Sequence, residues 1–261
     1  MKMMMGFRSG LVLAAFASQA VQAQPVTEQI DRVELNWSTM RIRFYGEATA
    51  DFAQKGFGDA ERAATEEGLL YALGSIPRVR SEKGLKNSSD AKQDTIAHEL
   101  TKQTYVVNTT YFSDGKVRVD LEGNLPKALE LLEVTFKSDE PQASVSAGTS
   151  VLVQLPQTRA PLFLPVVTSP EGEILYAPSE VAQSAFKKNM TGRWFYDKSP
   201  ELKSFSGALP LTLEAKAEAG KIVVDKEEWL KIKAEHPRLL EEAKVGFVLP
   251  AVAKATSKAR L

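Results

Sequence analysis

The spacing of apolar residues predicts several strands in the first half of the chain. Residues 40–45 and 116–121 alternate between apolar and polar side chains, a period of two that is typical of a strand with one buried face. Residues 104–111 are rich in β-branched and aromatic side chains. The turn Ser113-Asp114-Gly115 predicts that residues 104–111 and 116–121 pair as a hairpin.

Residues 59–75 predict a helix that packs closely on a sheet. Asp59 is placed to cap its N-terminus, and Pro77 is placed to end it. One stripe of mostly small side chains runs along it, made of Ala60, Ala64, Gly68 and Tyr71. Small side chains allow a helix backbone to approach a sheet closely, so we expect this stripe to face the strands.

The second half of the chain again mixes strand and helix patterns. Residues 151–155, 209–215 and 245–249 alternate as strands do, and Asp225 is predicted to cap a helix that extends to about Glu235. We therefore predict an α+β fold of two small regions, each an antiparallel sheet packed with one or two helices.

Composition shifts along the chain divide it into five segments. Residues 137–148 contain Asp139-Glu140-Pro141 and a run of small side chains, and they predict a linker. The linker separates an α+β module at residues 31–136 from a second region at residues 149–250. Residues 251–261 are locally basic and predict a solvated tail.

Residues 1–23 have the layout of a cleavable secretory signal. Lys2 and Arg8 precede a short apolar run, and small side chains surround a cleavage point after Ala23. The apolar run is far below the ~20 residues that span a bilayer. The signal predicts export to the periplasm. A position at the periphery of the outer membrane is compatible with this prediction. Because the chain contains no cysteine, neither a lipid anchor on cysteine nor a disulfide is available.

Charge and motif content favour a non-enzymatic protein. The chain has 33 basic and 33 acidic residues, well interspersed, so no basic field favours nucleic acid. Neither His98 nor His236 has a His or Cys partner at metal-ligand spacing. The loop Gly56-Phe57-Gly58-Asp59 lacks the remaining residues of a phosphate-binding motif. We therefore expect no catalytic site, no metal and no cofactor.

The densest aromatic cluster has two interpretations. Trp194, Phe195 and Tyr196 are consecutive, and Trp229 follows on a predicted helix. Exposed aromatic side chains anchor interfaces, so these four are candidate contacts for a partner or ligand. The other interpretation is a strand that places two of its members in the core.

The first region resembles a known envelope module. A strand ending in Gly46-Glu47-Ala48 leads to an Ala-rich helix at residues 59–69, DAERAATEEGL, and the pattern closes with the strand VRVDL at residues 117–121. This layout is similar to the LPP-type lipoprotein family of the twenty-kilodalton class. Its flagellar relatives are FlgP and the N-terminal domain of FlgT.

The second region is similar to longer members of the same group. The corresponding stretches are APLFLP at residues 160–165, EGEILY at residues 171–176 and ALPLTL at residues 208–213. The resemblance implies an α+β fold and a non-enzymatic periplasmic or outer-membrane-associated role, sometimes in flagellar basal structures. It brings no catalytic residues. The absent lipidation cysteine departs from the family and favours an unanchored periplasmic form.

Two functional hypotheses follow from the sequence. The first is a structural or assembly protein of the envelope that acts through contacts with envelope proteins or with copies of itself. The second is a periplasmic binding module for a small ligand or a cell-wall fragment, with its pocket beneath Trp194, Phe195, Tyr196 and Trp229.

Overall fold

The computed structural model describes residues 24–51, 56–75, 98–126, 135–138, 148–218 and 221–251. The predicted signal at residues 1–23, residues 139–147 of the predicted linker and residues 252–261 of the predicted tail lie outside the described residues. The α+β fold class is confirmed, because helices accompany two separate sheets.

The first sheet is antiparallel and has the order β1-β2-β3-β5-β4 among the described residues. Its strands are β1 (Thr27–Ile30), β2 (Val33–Asn36), β3 (Arg41–Thr49), β4 (Thr104–Tyr111) and β5 (Lys116–Asn124). The sheet therefore begins before the predicted boundary at residue 31. The predicted hairpin is confirmed as β4 and β5, and Gly115 adopts the positive φ of 85° that favours glycine in its turn.

Helix α1 (Gly56–Ser75) covers one face of this sheet. The small side chains of its stripe are buried at Ala60, Ala64 and Gly68, and the stripe continues at Ala72 rather than at the exposed Tyr71. A Cβ atom built on Gly46 of β3 would lie 1.8 Å from the carbonyl oxygen of Ala64. The helix and strand backbones thus touch, which explains why both positions carry little or no side chain.

The second sheet is mixed, with the order β8-β7-β11-β10-β6-β12-β9 among the described residues. Its strands are β6 (Ser150–Gln154), β7 (Val167–Thr168), β8 (Ile174–Tyr176), β9 (Arg193–Tyr196), β10 (Pro210–Glu218), β11 (Lys221–Val224) and β12 (Val245–Leu249). Strand β6 pairs in parallel with β10 and β12, and β12 pairs in parallel with β9.

The prediction of an antiparallel sheet for this second region is therefore wrong for most strand pairs, which are parallel. It is correct for β10 with β11 and for β7 with β8. Parallel neighbours require crossover connections, and strands inside such sheets are buried on both faces. All five residues of β12 are buried. The alternation of residues 245–249 suggested one buried face, whereas tertiary packing covers both.

Short helices accompany the second sheet: α2 (Gln183–Asn189), α3 (Pro200–Ser206), α4 (Lys226–Glu235) and α5 (Pro237–Glu241). Asp225 caps α4 as predicted, since its Oδ1 accepts from the backbone N–H of Glu228 at 3.0 Å. None of the described helices is long and apolar enough to cross a membrane.

The two predicted regions pack on one continuous hydrophobic core. The backbone N–H of Trp194 donates to the carbonyl of Trp37 at 3.2 Å, and the Ser38 hydroxyl donates to the carbonyl of Trp194 at 2.7 Å. Ser38 also accepts from the backbone N–H of Val26 at 3.0 Å. The two sheets are thus joined by hydrogen bonds between residues far apart in sequence.

Candidate functional site

The aromatic residues singled out in the sequence lie mainly in the interior. Trp194, Phe195 and Trp229 are at most 1% exposed, and Tyr196 is half-buried. The indole N–H of Trp194 donates to the carbonyl of Leu162 at 2.9 Å. Three of these four rings therefore cannot offer an exposed contact, and the core interpretation of the cluster accounts for them.

The structure does not bring these rings together over one pocket. Trp194 packs against Phe247 with ring centroids 5.0 Å apart, whereas Phe195 points to the other side of β9 and packs against Phe205 at 4.9 Å. Trp229 lies on α4 against Tyr176, 5.7 Å between centroids. The alternation of side chains along a strand sends neighbouring rings to opposite faces.

The edges of the two sheets are protected to different degrees. An unprotected edge is a template for pairing with another chain, so natural proteins keep edges short, charged or covered. Strand β1 has four residues and carries Glu28, and β8 has three residues. Strand β9 is covered by the hydrogen bonds with Trp37 and Ser38. Strand β3 extends beyond Val33, the first residue of β2, and there Glu67 of α1 accepts from the backbone N–H of Glu47 on β3 at 2.5 Å.

Strand β4 is long and open by comparison. It has eight residues, and within the described part of the chain its only strand partner is β5. Five large apolar side chains on it and just after it are exposed by 42–53%. We call them the β4 edge patch: Tyr105, Val106, Val107, Tyr111 and Phe112.

Neighbouring groups hold the two tyrosines of the β4 edge patch in place. The Tyr111 hydroxyl donates to Glu61 of α1 at 2.5 Å, and its ring meets Phe57 edge-on with centroids 5.2 Å apart. The Tyr105 hydroxyl donates to Glu122 of β5 at 2.5 Å. Each hydrogen bond to a carboxylate raises the pKa of the tyrosine that donates it. These two side chains of the patch therefore need little ordering on binding.

Glu122 is the centre of a charge network beside this edge. Its side chain is 10% exposed; Arg43 Nε donates to Oε2 at 2.6 Å, and Arg41 Nη1 lies 3.5 Å from Oε1. Burial raises the pKa of Glu122, but the hydrogen bonds from Tyr105 and Arg43 and the charges of Arg43 and Arg41 outweigh burial and hold it below its ordinary value. The carboxylate is therefore ionised and partnered, as in a structural network.

The face of the first sheet opposite α1 contains an open groove of about 390 Å³. The Arg118 guanidinium stacks 3.7 Å from the centroid of the Tyr45 ring, and Arg32 lies 5.4 Å from the same ring. Arg118 Nε also donates to Asp120 Oδ1 at 2.8 Å. The groove offers an aromatic surface flanked by guanidinium groups, a combination that suits a polar ligand with a flat or anionic part.

Nothing in the described residues is arranged as a metal site, because no group of three or more His, Cys, Asp or Glu side chains converges there. His236 lies between α4 and α5, and His98 is exposed. Residues 56–59, considered as a phosphate loop, form the first turn of α1.

No protein-family model matches the chain, and no curated protein matches it.

The sequence pattern does not by itself predict the β4 edge patch. Its signal is the stretch from Gln103 to Ser113, which contains no charged residue, no proline and no glycine. Such a stretch fits a central strand equally well. Only the order of the sheet places it at an edge.

Proposed function

We propose that this chain is an exported, non-enzymatic protein of the cell envelope with a structural or assembly role through protein–protein contacts. The single observation that carries the proposal is the β4 edge patch, a long uncharged edge strand with exposed apolar side chains. A strand of a partner would gain backbone hydrogen bonds along β4 and apolar contacts above and below it.

The setting of the proposal comes from the sequence. The signal layout of residues 1–23 supports a periplasmic location, with a position peripheral to the outer membrane. The resemblance to LPP-type envelope proteins supports a structural role, including a flagellum-associated one. The partners that we propose are envelope proteins and further copies of the chain, and no part of the proposal involves nucleic acid.

Site-specific photocrosslinking in cells tests this function. A photoreactive amino acid replaces Val107 on β4 or, as the matched control, Leu230 on α4; these side chains are 52% and 44% exposed. We expect crosslinked protein in the periplasmic fraction for position 107 and none for position 230. Absence of adducts at position 107, or equal adducts at both positions, would count against the proposal.

A second candidate function is binding of a small polar ligand, such as a cell-wall fragment, in the open groove. The stacked pair of Arg118 and Tyr45 favours it. Thermal unfolding is measured with a panel of cell-wall fragments. Stabilisation by one compound that is lost in Tyr45→Ala but kept in Tyr196→Ala supports this candidate, and no stabilisation by any compound argues against it.

A further inference from the structure

The other edges of both sheets are protected, which leaves β4 as the long open edge of the described chain. The residues of β4 can also pair favourably with those of a second, antiparallel β4. We propose that β4 pairs antiparallel with β4 of a second copy, around a two-fold axis between Val107 and Asn108. The two antiparallel sheets then form one continuous sheet. This inference rests on the proposed function and names the partner of the same surface.

A bulge in β4 selects the register of this pairing. The register with β5 shifts between Val106 and Asn108, so Val107 is the extra residue. Val107 and Asn108 both line the groove on the open face of the sheet. On that face Tyr105 also lies, since its hydroxyl bonds Glu122, whereas Tyr111 reaches Glu61 of α1 on the opposite face.

A two-fold axis perpendicular to the sheet places the open faces of both copies on one side of the joined sheet and their helix-side faces on the other. Paired residues must therefore come from the same face. The axis between Val107 and Asn108 satisfies this, because it places Tyr105 opposite Thr110 on the open face. On the helix-side face it places Val106 opposite Thr109, and Thr104 opposite Tyr111. These are aromatic and β-branched pairs, which stabilise neighbouring strands.

The backbone groups of β4 agree with the same register. The N–H of Phe112 donates to the carbonyl of Lys116, so Phe112 faces β5. Because backbone groups alternate along a strand, those of Tyr111 and Thr109 face outward. Because Val107 is an extra residue, the alternation of backbone groups shifts by one residue at the bulge. The backbone groups of Val106 and Thr104 therefore also face away from β5. The proposed axis pairs these outward residues with each other, Thr104 with Tyr111 and Val106 with Thr109.

The charges near β4 favour a second copy as the occupant. No residue from Gln103 to Ser113 is charged, so the paired strands bring no like charges together. Lys102 precedes β4 and Asp114 follows it, so the antiparallel pairing brings these opposite charges to the same end of the paired strands, and the two-fold axis does so twice. The Lys102 side chain is 56% exposed, and within its own chain its Nζ lies 3.6 Å from Glu99 Oε2.

Charge substitutions at the axis test the pairing. Val107 is half exposed, so Val107→Lys and Val107→Glu are expected to fold, which circular dichroism checks. In the proposed dimer the two residues at position 107 are neighbours across the axis. Each variant alone brings like charges together, and its dimer dissociation constant should rise at least about tenfold. An equimolar mixture brings Lys beside Glu and should restore the dimer.

Sedimentation equilibrium on the purified full chain measures the result. A wild-type dimer, weakened dimers for both Val107 variants, a restored dimer in the mixture and an unaffected Leu230→Lys control support the inference. A monomeric wild type, an unchanged Val107→Lys dimer or a mixture that stays monomeric overturns it. Photocrosslinks from position 107 to proteins of other mass, together with a monomeric wild type, would overturn only this inference and leave the proposed function standing.

Discussion

Replacing Gly68 by alanine isolates the contact between α1 and the first sheet. In an ordinary exposed helix this change stabilises, because alanine has the higher helix propensity by about 1 kcal/mol. Here Gly68 is buried against β3. An added Cβ would lie 2.9 Å from the backbone nitrogen of Gly46, 3.0 Å from Cδ1 of Leu121 and 3.2 Å from the carbonyl carbon of Tyr45.

The size of the effect follows from these distances. Ordinary van der Waals contact for a Cβ begins near 3.4 Å, so the helix must move from the sheet by about 0.5 Å or more. Overpacking of this kind costs about 1–3 kcal/mol, and the upper part of the range applies because two of the three neighbours are backbone atoms. After the gain in propensity, Gly68→Ala should lower the free energy of unfolding by about 1–2 kcal/mol.

Gly74 provides the matched control in the same helix. A Cβ added there meets nothing within 4 Å, so Gly74→Ala should raise the free energy of unfolding by about 0.5–1 kcal/mol. Urea unfolding, followed by circular dichroism and by the fluorescence of the buried tryptophans, measures both variants. A Gly68→Ala protein as stable as the wild type would refute the close helix–sheet contact.

Two further predictions concern polar groups that join distant parts of the fold. Glu122→Gln should lower the free energy of unfolding by about 1 kcal/mol at pH 7, since Arg41 and Arg43 lose their anionic partner and both arginines are themselves partly exposed. Because the folded pKa of Glu122 is lowered, its contribution is complete above the ordinary value near 4.5 and is lost as the pH falls through the folded value. Urea unfolding as a function of pH should therefore show the two curves converge in acid, whereas a difference that persists at low pH would contradict the assignment. Ser38→Ala should cost about 1–3 kcal/mol, because the buried N–H of Val26 loses its partner. Thermal unfolding measures this against Ser204→Ala at an exposed position of α3, which should change stability by less than about 0.5 kcal/mol, and equal effects would contradict the role of Ser38.

The sequence by itself determined the local elements of this protein. Alternation over residues 40–45 predicted the core of β3, and Asp114-Gly115 predicted the turn between β4 and β5. Asp225 predicted the start of α4. These features depend on interactions within a few residues, such as side-chain period, turn conformation and capping, which a single sequence displays directly.

Only the tertiary structure decided which faces and edges are covered. Leu70, an apolar residue in the second half of α1, is 69% exposed, whereas Trp194 and Trp229 are fully buried. The parallel pairs of the second sheet and the edge position of β4 arise between strands that are distant along the chain. An uncharged strand has the same local pattern in the middle of a sheet as at its edge. The neighbours brought by the fold determine whether it belongs to the core or forms a surface for a partner.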